Sequence, residues 1–567
     1  MDRADGNDSL AAQLNALFAR LDPFWDEEAA GVVGRLLDAN SAGHVCLPLT
    51  GPRDRARLAC SPLTGRPGQY APLVLDEAGR LYFARHWHDE TLLAERLGAM
   101  ARVTVGVDDE ALATALAGLF PGEERVPDRQ KLAAALAARR RLMVISGGPG
   151  TGKTTTVVRL LALLAGLPGR PLSMAMAAPT GKAAARLAES VNASIAKMPL
   201  DEDTRRQLPR TASTLHRLLG VRPGEARARH HAGNPLPLDV LVVDEASMID
   251  QSLMARTVEA LPSGCRLILL GDRDQLSSVD AGAVLGDLCG RIEFREETLA
   301  WLAEVAGPLP DDLAVGDGPL ADCVMLLTHS HRFAAGGGIG ELARRVNAGD
   351  AQGALAALDD PASGDIGWCG SDLIFAAYDK RRDYLAEARR GSDPAAIQRA
   401  FQSFMLLAAE RRQIEAVNQG IERLLEQEGV KPAGRDGYAG RPVMVTENDY
   451  GIQLFNGDIG FTVERSDGLR VLFPDASGGW REIAPGRLPA HQTVYAMTVH
   501  KSQGSEYGDV WLALPDTPTP SLDRALIYTA ITRARESFRV HGGAPVWLAG
   551  VSVRTWRDSA LAERLRG

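Results

Sequence analysis

Two patterns of apolar and polar residues alternate along the middle of the chain. Continuously apolar runs such as 141–146 and 239–245 are typical of strands buried on both faces of a parallel sheet. Segments with apolar residues at helical spacing, including 129–139 and 181–191, lie between such runs. The alternation predicts an α/β core at about 126–330, with a parallel sheet covered by helices.

The same alternation returns in the last part of the chain. It begins near residue 365, includes the runs 403–425 and 509–515, and predicts a second α/β core within 331–567. The stretch 435–492 is rich in glycine and in short alternating runs. It predicts a small β-barrel inserted into the second core.

The start of the chain follows neither pattern for long. Helical spacing is mixed with short apolar runs at 44–49 and 80–87, and a helical stretch at 109–122 ends in a turn. We therefore expect a mostly helical N-terminal domain at 1–120, with a boundary near 110–125. The fold class of the whole chain is α/β.

Composition places the chain among ordinary globular proteins, because 45% of its 567 residues are apolar and 24% are charged. It has no uncharged apolar run of about 18 residues that could span a membrane. The first residues also lack the apolar segment of a secretory signal. We expect a cytoplasmic protein with no membrane partner. The six cysteines lack zinc-site spacing and are expected to be mostly buried thiols.

Charge adds one observation. The net charge of −9 argues against a protein that coats nucleic acid by bulk attraction, but it leaves room for a narrow basic channel. From 204 to 231, seven arginines stand against a single acid, Glu225. This stretch is either a solvated face or a surface that contacts phosphates.

The strongest chemical signal follows the predicted strand 141–146. The sequence GGPGTGKTT has the spacing of a Walker A loop, in which backbone N–H groups and a helix N-terminus surround phosphates. Lys153 is expected to reach the β- and γ-phosphates of ATP, and the Thr154 hydroxyl is expected to ligate Mg²⁺. The expected phosphate-binding residues are Gly147, Gly148, Pro149, Gly150, Thr151, Gly152, Lys153, Thr154 and Thr155.

Acids and an amide follow the next apolar runs. Asp244 and Glu245 end the run 239–245. Asp244 is expected to complete the Mg²⁺ site, and Glu245 is expected to polarise the attacking water. Gln275, in GDRDQL, is a candidate for contact with the γ-phosphate; the alternative is a polar cap of its loop.

Phosphoryl transfer also needs positive charge at the γ-phosphate, often supplied by an arginine from another domain. Arg533 and Arg535 lie in ALIYTAITRARESF, where the pattern predicts that both arginines are on a helix. Arg533 is the main candidate and Arg332, in LTHSHRF, is a second. The alternative for Arg533 is an ion pair on the helix surface. A nucleotide held between two such cores would couple hydrolysis to opening and closing of the cleft.

These motifs together resemble the superfamily-1 helicases. They occur in the order APTGKAA, TASTLHRLLG, LVVDEAS, GDRDQL, SHRF, TVHKSQGSEY and YTAITRA. More narrowly, LDVLVVDEASMID, NGDIG and GHVCLPL resemble the RecD family, the α subunits of bacterial exodeoxyribonuclease V, the RecBCD complex.

The resemblance implies two RecA-like P-loop domains, an SH3-like β insertion and an N-terminal partner-binding domain. It implies an ATP-dependent helicase that moves 5′ to 3′ on single-stranded DNA. RecB and RecC would be its partners in a heterotrimer that degrades duplex DNA ends and starts recombinational repair.

The resemblance also implies roles for single residues. Gln130 falls at an adenine-reading position, and Glu506 falls near the nucleotide or the coupling path. The segment 221–237 corresponds to a hairpin that projects toward the DNA, and its arginines and Pro-Gly turn suit that role. The positions expected to face DNA, each of which could instead be a buried cap, are Thr180, Thr214, His216, Thr498 and His500.

Other classes of protein fit less well. A free-standing 5′–3′ helicase without RecB and RecC is the main alternative, but no helix-hairpin-helix repeats are found before the first core. A small-molecule kinase or GTPase predicts a single nucleotide core, which residues 365–567 contradict. A scaffold with an inactive motor is opposed by the intact Lys153, Asp244, Glu245 and Arg533. No carboxylate cluster like that of a two-metal nuclease is visible away from the ATP site, so we predict no intrinsic nuclease.

Overall fold

The computed structural model describes residues 3–122, 126–222, 225, 227–330, 332, 337–370, 372–449, 451–475 and 479–566. Among these residues, no helix is both long enough and apolar enough to cross a membrane.

The N-terminal region combines helices with a small sheet. Its helices are α1 Arg3–Leu21, α2 Glu27–Ser41, α3 Pro52–Ala59, α4 Ala84–Ala101 and α5 Asp109–Leu119. Its strands are β1 Leu47–Pro48, β2 Thr64–Gly65, β3 Leu73–Leu75 and β4 Arg80–Phe83. They form a four-stranded sheet in the order β1-β4-β3-β2. Phe18, Val33, Leu36 and Leu81 form the core between the sheet and the first helices.

The expected boundary near residue 120 does not coincide with a break in packing. Leu93 and Leu97 of α4 join a buried cluster with residues of the first core, including Leu142 and Leu253. Leu112 of α5 likewise belongs to a cluster of the first core. The reason is that the buried residues of α5, and one apolar face of α4, lie against the first core and not against the small N-terminal sheet. The two helices therefore pack as part of the first core.

The first core is a parallel sheet covered by helices. Its helices are α6 Arg129–Arg139, α7 Lys153–Gly166, α8 Gly181–Lys197, α9 Glu202–Gln207, α10 Leu215–Leu219, α11 Gln251–Glu259, α12 Val284–Leu288 and α13 Glu296–Ala306. Its strands are β5 Leu142–Gly147, β6 Met174–Ala178, β7 Ala212–Thr214, β8 Val240–Val243, β9 Arg266–Gly271 and β10 Val324–Leu327. The six strands have the order β10-β5-β9-β8-β6-β7, and every pair is parallel. The carboxyl ends of all six strands therefore lie at one edge, where ligands bind in open α/β sheets.

A second α/β core with an inserted sheet follows. Its helices are α14 Gly338–Ala348, α15 Ala351–Asp359, α16 Leu373–Lys380, α17 Arg382–Arg390, α18 Pro394–Gln402, α19 Arg411–Gln427, α20 Arg524–Ile531 and α21 Ala544–Ser552. A last helix, α22 Leu561–Arg564, follows them in the chain. The strands are β11 Ile366–Trp368, β12 Phe404–Ala408, β13 Pro442–Val445, β14 Ile459–Arg465, β15 Gly468–Pro474, β16 Trp480–Ile483, β17 His491–Thr493, β18 Ala496–Thr498, β19 Tyr507–Ala513 and β20 Ala534–His541. The core sheet has the parallel order β11-β20-β19-β12-β18.

The inserted strands form a separate antiparallel sheet in the order β16-β15-β14-β13-β17. The predicted β character of 435–492 is therefore present. Strands β16 and β17 stand at opposite edges of this sheet, so its closure into a barrel stays a prediction.

The helix predicted across Arg533 and Arg535 is wrong in its second half. Helix α20 ends at Ile531, Arg533 lies in the following turn, and Arg535 lies on β20. Phe538 and Val540 of this strand are fully buried in the core sheet. Their burial outweighs the helical character of the polar residues just before them.

The last residues leave the second core and return to the first. Leu561 of α22 is buried in a cluster with α4 and the first sheet. The Val45 N–H donates to the Asp558 carbonyl oxygen at 2.8 Å, and Arg564 Nε donates to Glu90 at 2.8 Å. The C-terminal segment 553–566 thus connects both cores and the N-terminal region.

Candidate active site

The Walker A loop joins the end of β5 to the start of α7. Lys153 Nζ donates to the carbonyl oxygen of Gly148 at 3.0 Å and also to that of Gly147. Gly150 and Gly152 have φ angles of 76° and 81°, a left-handed conformation that favours glycine. The backbone therefore curls around the lysine ammonium group.

The next positions of the loop lie at the first turn of α7. Thr154 is half-buried there, and Thr155 is exposed. Thr151 Oγ1 donates to the Gly148 carbonyl at 2.8 Å, which closes the loop from inside. The Pro149 carbonyl accepts a hydrogen bond of 2.9 Å from Ser330, beyond the last strand of the first core.

Gln130, at the start of α6, lies against this loop. Its Nε2 donates to the Thr151 carbonyl at 3.0 Å. A Cβ atom added to Gly152 would lie 2.2 Å from Gln130 Nε2, so the absence of a side chain at Gly152 makes the contact possible. The amide thus reaches the mouth of the loop from 22 positions before Gly152.

Asp244 and Glu245 follow β8, two strands away from the Walker A strand. Burial and the neighbouring Glu245 charge raise the pKa of Asp244 to about 6. The Glu245 N–H donates to Asp244 Oδ1 at 2.8 Å. Glu245 has a φ of 51° and a ψ of 41°, a left-handed conformation that is uncommon for a residue with a side chain. Such strained residues cluster at functional sites.

Gln275 lies in the loop after β9, between the Walker A strand and the Asp244 strand. Gln275 is buried, and its Nε2 donates to Asp272 Oδ2 at 2.9 Å. The same carboxylate oxygen accepts a hydrogen bond of 3.0 Å from the hydroxyl of Tyr528 in the second core. The Leu276 N–H donates to Thr529 Oγ1 at 2.9 Å. This loop is therefore in direct contact with α20.

Arg332 crosses from the end of the first core to the Walker A loop. A Cβ atom on Gly150 would lie 2.3 Å from Arg332 Cβ. Arg332 Nη2 donates to Glu506 Oε1 at 2.7 Å. Its Nη1 is buried and has no hydrogen-bond partner among the residues that the structure describes. A buried guanidinium nitrogen without a partner, beside a phosphate-binding loop, fits an anionic ligand.

Glu506 is surrounded by arginines. Burial by itself raises the pKa of this carboxyl, but Arg332, Arg186 and Arg533 outweigh burial and hold the pKa below its usual value. Arg186 comes from α8 of the first core, lies 3.5 Å from Glu506 and donates to the Gly504 carbonyl. Glu506 therefore joins cationic side chains from both cores.

Arg533 is buried in the same cluster. Its guanidinium donates to the carbonyl oxygens of Thr529 at 3.1 Å and Ser505 at 3.2 Å, and to Thr532 Oγ1 at 3.2 Å. Burial lowers the pKa of Arg533, whereas the charges of Glu245 and Glu506 raise it. Arg533 is therefore close enough to Glu245 for the two charges to interact.

The residues expected to face DNA lie on a different part of the sheets. Thr180 follows β6 and Thr214 ends β7. These are the last two strands in the order of the first sheet. Thr498 ends β18, the edge strand of the second sheet. His216 is exposed, and His500 is half-buried in the short turn after β18.

The hydroxyls at these positions also cap turns. The Thr180 side chain accepts from the Ala183 N–H and that of Thr214 accepts from the Arg217 N–H, each at 3.2 Å. Thr498 accepts a long hydrogen bond of 3.4 Å from the Lys501 N–H. The capping alternative is thus observed, and a contact with DNA stays a prediction.

The arginines of 204–231 are only partly free. Arg206 pairs with Glu202 and Asp203, and Arg222 and Arg227 lie 3.4 and 4.0 Å from Glu225 and Glu259. Glu202, Asp203 and Glu259 lie outside the stretch, so the count of charges along it did not reveal them. The Pro-Gly turn of the expected hairpin, Pro223 and Gly224, lies outside the described residues.

Three contributors to the site were not predicted. Asp272 lies in the motif GDRDQL and Tyr528 lies in YTAITRA, so their places in these motifs could have marked them as site residues. Arg186 carries no local signal, because its partners Gly504 and Glu506 lie 318 and 320 positions later.

Comparison with known proteins gives two family models. The AAA domain model matches residues 130–281, and the UvrD-like helicase C-terminal domain matches residues 493–540. A solved structure of Pif1 helicase from Bacteroides, in complex with ADP-AlF3 and ssDNA, is 17% identical over 77% of this chain and 92% of that chain, with a TM-score of 0.38.

Several curated relatives are similar over most of their length. The RecBCD enzyme subunit RecD of Mycolicibacterium smegmatis is 39% identical over 90% of this chain and 86% of that protein. The corresponding subunit of Mycobacterium tuberculosis is 40% identical over 93% of this chain and 87% of that protein. The ATP-dependent RecD2 DNA helicase of Deinococcus radiodurans is 32% identical over 95% of this chain and 68% of that protein. The chain belongs to the family of RecD subunits of the RecBCD enzyme.

Proposed function

We propose that this chain is the ATP-driven motor subunit of a RecBCD-type helicase and nuclease. It moves 5′ to 3′ on single-stranded DNA, beside RecB and RecC, in a heterotrimer that unwinds and degrades duplex ends and starts recombinational repair. The observation that carries the proposal is the identity of 39–40% to RecD subunits over 86–87% of their length. DNA cutting is assigned to a partner subunit.

The contacts between the cores support an ATP-driven motor. The Walker A loop of the first core lies against Arg332, and Arg533 of the second core lies within electrostatic reach of Glu245. ATP bound in the loop would thus have cationic groups from both sides. In this proposal, Lys153, Arg332 and Arg533 stabilise the charge that develops on the γ-phosphate. Loss of that charge after hydrolysis would weaken the attraction between the cores.

Glu245 acts on the attacking water, and Gln275 acts on the γ-phosphate. Glu245 follows strand β8. Its neighbour Asp244 is buried, and the pKa of the Asp244 carboxyl is raised to about 6. Glu245 orients the water and accepts its proton. Gln275 reports the state of the γ-phosphate, because the loop that carries it also contacts α20.

The donor set fits a Mg²⁺ ion, which would be held by the Thr154 hydroxyl and the Asp244 carboxylate. When bound, the ion supplies positive charge to the β- and γ-phosphate oxygens. The observation that favours it is the buried Asp244 carboxyl, whose pKa is raised by burial and by Glu245. A bound cation would favour the ionised form of such a carboxylate.

Sheet topology separates the proposed ATP site from the proposed DNA path. The residues around the nucleotide come from β5, β9 and β8, whereas the DNA-facing candidates come from β6 and β7 and from the edge strand β18. Hydroxyls and imidazoles there suit sequence-independent contacts with a DNA backbone. Arg186 of α8 lies between the two, so α8 provides a route from nucleotide to DNA.

The alternative is a free-standing helicase without RecB and RecC. It is supported by the 32% identity to the Deinococcus RecD2 helicase. The higher identity to RecD subunits favours the heterotrimer.

The proposal is tested with the purified full chain and its variant Lys153→Gln. We expect DNA-stimulated ATP turnover in the wild type and none in the variant, because the ammonium that binds the phosphates is lost. Lys197→Gln is the matched control, since Lys197 is an exposed lysine at the end of α8. Turnover that persists in Lys153→Gln would overturn the ATP-driven motor.

Partnership and polarity are tested by co-expression with RecB and RecC of the same organism. RecB carries a substitution of its own phosphate-loop lysine, so that only this chain can drive unwinding. We expect a stable complex that unwinds duplexes with a 5′ tail and not those with a 3′ tail. A chain that unwinds the 5′-tailed duplex alone and fails to co-purify would support the free-standing alternative.

A further inference from the structure

Tyr528 makes a contact between the cores to which no role has yet been assigned. It lies on α20 of the second core and is 5% exposed. Its hydroxyl donates to Asp272 Oδ2 in the first core at 3.0 Å. Burial and the charges of Asp272 and Asp274 raise its pKa well above the ordinary value, so the hydroxyl keeps its proton.

Asp272 connects this hydroxyl to Gln275. The carboxylate is 3% exposed, and its Oδ2 accepts from both Tyr528 and Gln275 Nε2. Its Oδ1 accepts from the Asp274 N–H at 3.1 Å. A buried carboxylate depends on such donors. Within the described residues, Asp272 Oδ2 is the only oxygen to which the Gln275 amide donates. Removal of the Tyr528 hydroxyl therefore takes away the other donor to that same oxygen.

The same hydroxyl lies beside the Walker A loop. A Cβ atom on Gly148 would lie 3.0 Å from Tyr528 Oη. The hydroxyl is thus in contact with the start of the phosphate loop on one side and with the Gln275 loop on the other. The next residue of α20, Thr529, accepts from the Leu276 N–H, so the helix holds the Gln275 loop at two successive positions.

We propose that Tyr528 is a positioning residue that fixes the Gln275 side chain through Asp272. The contact between Gln275 and the γ-phosphate then depends on the position of the second core. The role rests on the proposed function as an ATP-driven motor. When the cores are closed, the hydroxyl completes the donors to Asp272 and the Gln275 amide is held. When α20 withdraws, Asp272 loses that donor and Gln275 is released.

The test removes the hydroxyl and keeps the ring, with Tyr528→Phe in the full chain. We expect the DNA-stimulated kcat to fall about tenfold, the scale of one charge-assisted hydrogen bond, with KM for ATP changed by less than about twofold. Tyr384→Phe is the matched control. Its hydroxyl is also buried in the second core but has no hydrogen-bond partner within the described part of the chain, so its loss should leave kcat and KM unchanged.

The path through Gln275 is tested in a Gln275→Ala background. There, the added Tyr528→Phe change should lower kcat by less than about twofold, because two residues that act as a unit are not additive. An equal loss in both backgrounds would overturn the path through Gln275, and a kcat like that of Tyr384→Phe would overturn the role of Tyr528 altogether. Absence of ATP turnover in the wild type would instead overturn the proposed function and, with it, this role.

Discussion

Glu245 combines a proposed catalytic carboxylate with a strained backbone, and the two can be separated by substitution. Its φ of 51° lies in the left-handed region, where a side chain meets the following carbonyl. We consider two variants, Glu245→Ala and Glu245→Gly. Both remove the carboxylate, but only glycine removes the steric conflict at this backbone conformation.

The expected difference in stability follows from two opposing terms. The left-handed conformation costs a residue with a Cβ about 1–2 kcal/mol. Glycine in turn loses roughly 0.5–1 kcal/mol more than alanine through the entropy of the unfolded chain. Glu245→Gly should therefore be more stable than Glu245→Ala by about 1 kcal/mol. For a unit the size of the first core, this corresponds to a melting temperature about 2–4 °C higher.

The assay pairs thermal unfolding without nucleotide with DNA-stimulated ATP turnover. Both variants should lose turnover by about 10²–10⁴-fold, the usual contribution of a general base. Gln453 provides a control, because it has the same φ of 51° but lies in the inserted segment and is not one of the residues assigned to the ATP site. Gln453→Gly should leave turnover unchanged.

Two results would refute this reasoning. If Glu245→Gly melts at or below the temperature of Glu245→Ala, the backbone at this position is not strained in the protein. If either variant keeps wild-type turnover, Glu245 does not act on the attacking water.

Two further predictions concern single charges. Arg533→Ala should lower kcat by about 10³-fold, the scale of an arginine finger, with a smaller effect on ATP affinity. The exposed Arg535 gives the control Arg535→Ala, and a loss of affinity alone would instead assign Arg533 a binding role. For Asp287, burial and the nearby Glu90 raise the pKa to about 7, although the Ser559 hydroxyl opposes the shift. Between about pH 4 and pH 7 the folded protein therefore binds a proton at Asp287 that the unfolded chain has released, so this residue lowers the stability of the fold as pH rises through that range. In thermal unfolding, the melting temperature of Asp287→Asn should exceed that of the wild type by more at pH 8 than at pH 5. An equal difference at both pH values would contradict this origin.

Much of the nucleotide core follows from local sequence. The predicted helix 129–139 coincides with α6, and the predicted strand 141–146 differs from β5 by one residue at each end. These elements were predictable because an entirely apolar strand, a glycine loop and a helix follow one another without interruption. Long-range partners were not needed to specify them.

Other features depend on contacts that are distant in the chain. The strands of the N-terminal sheet are only two to four residues long, too short to show a period. The turn at Arg533 is fixed by the Ser505 carbonyl, 28 positions earlier. Arg227 has its acidic partner, Glu259, 32 positions later on α11. In each case, tertiary contacts decide between local structures that the sequence allows equally.

The C-terminal segment limits the kind of motion by which the cores can communicate. The covalent link between them already touches the Walker A loop, through Ser330 and Arg332. The second link is the docking of 553–566, where Glu90, fully buried, accepts from Ser559 Oγ, the Ala560 N–H and Arg564 Nε. Separation of the cores by translation would pull this segment away and break its three hydrogen bonds to the Glu90 carboxylate, which is unfavourable. Rotation about the docked segment keeps these contacts and still withdraws α20 from the Gln275 loop, so we expect nucleotide-driven opening to be a rotation.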